Sequence, residues 1–177
     1  MTTSSAEASA SIRPSRRDPW STPDLAEIAR IGEGFLACTF PGADYHHREH
    51  LISTVYVLRT YPSVDWFTEL PNRIRRFNEA NGGKNTDTAG YHHTITMFYI
   101  ELIERFLAPR RHLDLPQACK ELLSSRLASS NLMFAYYSRE RLFSRDARSG
   151  WIAPDLRPVD MAVLVNSAER EQLQNAR

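Results

Sequence analysis

The sequence predicts an all-α protein, a compact bundle of roughly five or six helices. Apolar residues recur at steps of three and four through most of the chain, the spacing of one helix face. Proline and glycine fall between these stretches, at Pro41-Gly42, Pro62, Gly82-Gly83 and Pro109. No apolar–polar alternation runs long enough to build a sheet.

Composition narrows the class. With 177 residues, 42% hydrophobic and 24% charged, the chain can bury one sizeable core and is not disordered throughout. A net charge of +1 gives no general attraction to nucleic acid or to an anionic membrane. No apolar run approaches the ~20 residues that cross a bilayer. Residues 1–19 are rich in Ser, Ala and Thr, carry Arg13, Arg16 and Arg17, and lack the apolar core of a secretory signal. They are expected to form a disordered leader, followed by a single domain over 20–165 and a polar tail over 166–177. Cys38 and Cys119 sit in apolar surroundings and read as buried small hydrophobes, which suits a cytoplasmic protein.

The first helix should start at Thr22-Pro23, where threonine caps and proline suits the first turn, with Leu25, Ile28, Ile31 and Leu36 at roughly helical spacing. A second is expected from Ala43-Asp44 to Thr60, with Leu51, Val55 and Leu58 on one face. Ser63 should cap a third, interrupted at Pro71 and ended by Gly82-Gly83. The fourth, Tyr91 to Leu107, has no Pro or Gly and a broad apolar stripe. A fifth begins near Pro116, and a sixth covers Asn131 to Arg145. The segment from Trp151 to Leu156 reads as an extended strap. Trp20, Trp66 and Trp151 read as core anchors.

Function is suggested by the histidines. Of six, five fall in two clusters: His46, His47 and His50, then His92 and His93; His112 stands alone. Four residues back from Leu51 is His47, and three back from Ile95 is His92. Both clusters therefore begin core-facing stripes, and His50 lies beside His47 at a spacing of three. If the two helices pack together, His47, His50 and His92 converge. Three imidazoles suit a divalent transition metal (Zn, Fe or Cu) with an open position for water or substrate. His93, Glu49 and Tyr91 are the candidates for moving a proton, with His46 as a substitute ligand. His46, Glu49 and His50 also satisfy the H-x-x-E-H pattern of inverted zincins, a match of only three fixed letters.

His47-Arg48-Glu49-His50-Leu51 resembles the His-x-x-His-Leu stretch of an uncharacterised family of small helical bacterial proteins. Tyr91-His92-His93-Thr94-Ile95-Thr96 resembles that family's Tyr-His-Glu-Thr-Ile-Thr stretch. The resemblance implies a shared fold and a site at His47, His50 and His92, and no particular activity. His93 stands where Glu is usual, which implies either an all-imidazole site or altered chemistry. The DinB-like bundles, which hold a metal through three histidines, are an architectural analogy only.

The function expected is a metal-dependent enzyme acting on a small polar substrate, by hydrolase or lyase chemistry or by Fe or Cu redox chemistry. The alternative is a helical ligand-binding or accessory protein with a buried histidine cluster. Neither nucleic acid nor membrane is an expected partner. The basic run Arg73, Arg75, Arg76 and Lys84 reads as a solvated helix face.

Overall fold

A computed structural model describes residues 21–167. The expected leader, Trp20 and all but the first two residues of the polar tail lie outside them. The described residues are all-α and contain no strand.

Helix α1 spans Leu25–Leu36. Its cap is Asp24 rather than Thr22: Asp24 Oδ1 accepts from Glu27 N at 2.8 Å. A carboxylate there also meets the positive end of the helix, and Pro23 stays outside it. The helix ends at Cys38, which takes a left-handed φ of 57° while Thr39 N and Phe40 N both donate to Gly34 O. Cys38 is half-buried rather than buried; Cys119 is buried as expected.

Helix α2, His47–Thr60, is the centre of the molecule and packs on α1, on α4 (His93–Leu107) and on α5 (Leu115–Leu123). Every residue from Leu51 to Val57 is buried, because neighbours cover it on several sides. Where α1 crosses it, a Cβ at Gly32 would overlap the ring of Tyr56. The segment Gly42–Asp44 is a separate 3-10 turn, so α2 starts later than expected.

Helix α3, Trp66–Ala80, runs through Pro71 without a break. Proline removes one backbone hydrogen bond, but Trp66, Leu70, Pro71 and Phe77 are all buried, and that packing outweighs the loss. Asp65, not Ser63, caps it, accepting from Phe67 N.

The single helix expected from Asn131 to Arg145 is three pieces: a 3-10 turn at Leu132–Ala135, α6 at Arg139–Leu142 and α7 at Arg145–Ser149. Ser138 and Ser144 accept from Arg141 N and Ala147 N, so each serine starts a new helix instead of continuing an old one. The strap that follows is extended. It is fastened by Tyr137 Oη to Ile152 O at 3.0 Å and by Leu156 N to Tyr136 O at 3.0 Å. Trp151 on it is 48% exposed, so it is no core anchor, while Trp66 is. Residues 161–167 are helical, with Met161, Leu164 and Val165 buried. No helix among the described residues is long and apolar enough to cross a membrane.

Candidate functional site: a histidine-lined cavity

The N-terminal turns of α2 and α4 lie side by side with α3, and a cavity of about 210 Å³ opens between them. His47, His50 and His92 all line it. The three residues expected to converge thus border one cavity. Leu51, Leu70, Ile74, Ile95, Ile100 and Ile103 supply most of the apolar wall. Thr54, Tyr91, Thr96 and Tyr99 supply hydroxyl groups.

The three imidazoles are held in different ways. His92 is the N-cap of α4, and both its nitrogens are engaged. Nδ1 accepts from Ile95 N at 3.4 Å, and Nε2 lies 2.8 Å from Leu142 O. A carbonyl can only accept, so the proton sits on Nε2 and the ring is the neutral tautomer. Burial lowers its pKa, the Leu142 carbonyl opposes that, and Arg148 adds to it. His47 Nε2 lies 3.0 Å from Ala128 O, and its ring meets Tyr99 edge-on at 5.1 Å. Burial lowers its pKa too, against the pull of the Ala128 carbonyl and Glu49.

His50 differs. Its ring stands edge-on to Tyr45 at 4.4 Å and makes no hydrogen bond among the described residues. Solvent reaches the residue, yet surrounding protein pushes its pKa down to about 4, with His47 and His46 adding to the effect. At neutral pH His50 is an uncharged imidazole with both nitrogens free. Its carbonyl accepts from Ser53 Oγ at 3.1 Å and Thr54 Oγ1 at 2.8 Å, which fixes the backbone behind the ring.

The expected proton carriers are less central. Tyr91 is buried in the cavity wall, and its Oη lies 2.9 Å from His93 Nδ1. His93 is half-buried and outside the lining. Glu49 is engaged by the helix start: it accepts from His46 N at 3.1 Å and pairs with Arg48 at 3.2 Å. His46 is exposed at the N-cap, and His112 is exposed far along the chain. Several contributors carried no sequence signal. Asn85 Oδ1 accepts from Tyr91 N at 3.0 Å and Asn78 Nδ2 at 3.0 Å, fixing the entry to α4. Its only outward sign is a polar loop bracketed by glycines.

No family model, curated protein or solved structure matches the chain. The chemistry is therefore read from the donor set itself.

A metal at His47, His50 and His92 needs one free lone pair from each. As arranged, His92 has none to give, since Nδ1 caps α4 and Nε2–H faces a carbonyl. No group of three or more His, Cys, Asp or Glu side chains among the described residues is placed to hold a metal ion. The expected three-histidine centre does not fit this arrangement.

The lowered pKa values give stability a pH dependence. His50 titrates near its ordinary value of 6.5 when unfolded and near 4 when folded. Between those values the unfolded chain takes up a proton that the folded one does not. The contribution of His50 to stability is therefore full above about pH 6.5 and is lost as the pH falls toward 4. Thermal unfolding midpoints across that window should drop, and His50→Gln should flatten the slope. An unchanged slope in the variant would show that His50 is not the group responsible.

Proposed function

We propose that this protein binds a small molecule in the cavity between α2, α3 and α4, with His50 as the polar contact. The observation that carries this is one free, neutral imidazole in a mostly apolar recess whose other two imidazoles are engaged. His50, held below its ordinary value by surrounding protein, is an uncharged imidazole at neutral pH and suits hydrogen bonding to a ligand. The volume of about 210 Å³ lies between the ~150 Å³ cavity that binds benzene and the ~300 Å³ lower end of drug-sized pockets. By that scaling the ligand has on the order of eight to ten non-hydrogen atoms. Cys38 and Cys119 are both free thiols, in keeping with a cytoplasmic setting.

The metal-dependent alternative draws on the same convergence of three histidines in one cavity. It requires His92 to leave both Ile95 N and Leu142 O. One experiment separates the two. Untagged protein is titrated with Zn(II), Cu(II) and fragment-sized probes such as benzamide and hexanoate, while the histidine ring signals are followed by NMR. Binding in the cavity shifts the His50 signals on adding a probe and leaves the Ile95 amide in place. Metal binding at one equivalent, lost in His92→Gln, would instead favour the metal centre. If no probe perturbs His50, the ligand-binding function is wrong.

A further inference from the structure

Behind one end of the cavity wall stand two arginines, Arg75 and Arg148, which touch lining residues without lining the cavity themselves. Gly90, Tyr91 and His92 line that end. The Arg75 guanidinium lies 3.8 Å over the ring of Tyr91 and has no carboxylate within ion-pair reach among the described residues. Arg148 NH1 donates to Gly90 O at 3.1 Å and Tyr91 O at 3.0 Å, while its Nε is buried with no partner. It too has no carboxylate within reach among the described residues.

Arg30, Arg139 and Arg157 likewise lie over aromatic rings, but away from the cavity lining, and further arginines are paired with carboxylates. Arg48 meets Glu27 and Glu49, Arg110 meets Glu121, and Arg105 meets Glu101, each at 3.2 Å or less. Stacking on Tyr91 offsets part of the desolvation of Arg75 but uses the face of the guanidinium, leaving its in-plane N–H groups free. Both charges act on lining residues: Arg75 opposes the upward shift that burial gives the Tyr91 hydroxyl, and Arg148 adds to the lowering that burial gives His92. Glu49 acts on His47 and Tyr45, at the other end, and its oxygens are engaged by Arg48 and His46 N.

We propose that the ligand is a short monocarboxylate with an apolar body, its carboxylate drawn to the end of the cavity flanked by Arg75 and Arg148. Its body lies along the isoleucine and leucine wall, and His50 meets any remaining polar group. This inference rests on the cavity being a ligand site. A planar carboxylate matches the planar fork of a guanidinium, which gives direction as well as charge.

Isosteric pairs test it: benzoate against benzamide, and hexanoate against hexanamide, measured by calorimetry on the full chain. Each acid should bind at least about tenfold tighter than its amide. Arg75→Gln should bring the acids to the level of the amides and leave amide affinity unchanged. Arg75→Lys should restore part of the advantage, which a merely structural role would not produce. Unfolding midpoints of both variants confirm that the fold is intact. Equal binding of acid and amide in the wild type, or an acid preference that survives Arg75→Gln, overturns the carboxylate inference while the binding function stands. Failure of all four probes to bind overturns both.

Discussion

The His92→Ala substitution should lower the unfolding free energy by about 2–4 kcal/mol, measured by urea denaturation. Two losses combine. Removing the Nδ1 acceptor uncaps α4, which typically costs about 1 kcal/mol. Removing Nε2–H leaves Leu142 O without its partner in a buried setting, which costs about 1–3 kcal/mol. His92→Asn restores a cap but not the reach to Leu142, so it should recover only the first part. A loss below ~0.5 kcal/mol for alanine would mean that neither bond matters and that His92 is free to serve as a ligand.

A second large effect is expected at the start of α2. Arg48 lies between Glu27 at 3.0 Å and Glu49 at 3.2 Å, with side-chain exposures of 10%, 12% and 14% respectively. Its NH2 also donates to Ser21 O at 3.2 Å. Arg48→Leu removes the cation that the two largely buried carboxylates share. Breaking a buried pair from one side typically costs about 3–5 kcal/mol. The double variant Arg48→Leu with Glu49→Gln should be more stable than the single one, because one of the two charges that lost the cation is gone. If the double variant is no more stable, uncompensated charge is not the cause. The site should feel this change. Glu49 anchors the first turn of α2, and His47 and His50 project from that turn.

The all-α class and the helices at Leu25–Leu36, His47–Thr60 and His93–Leu107 were legible because long apolar stripes encode them directly. The same phasing placed His47, His50 and His92 in one cavity. It could not say how their nitrogens are engaged. That depends on Leu142 O and Ala128 O, backbone groups whose position no side-chain pattern records. The short elements after residue 131 were misread for a related reason. Phe134, Tyr137, Leu142 and Phe143 sit at near-helical intervals, but Ser138 and Ser144 divert the local hydrogen bonds. Arg75 looked like one member of a solvated basic run. Only the tertiary stacking on Tyr91 separates it from Arg73, which pairs with Glu69 at 3.8 Å.

The contacts that fasten the imidazoles join parts of the chain far apart in sequence. His47 reaches across 81 residues to Ala128, His92 across 50 to Leu142, and Thr94 across 56 to Gly150. Contacts of such separation pay their loop-closure entropy before they return any stability. The cavity wall therefore takes its final shape only after the strap and the short helices near the end of the chain have docked. Until then His92 has no carbonyl to face and α4 lacks one of its ties. A ligand that requires the finished wall recognises the completed fold, and its binding draws the last-formed segments into the same cooperative unit as the first.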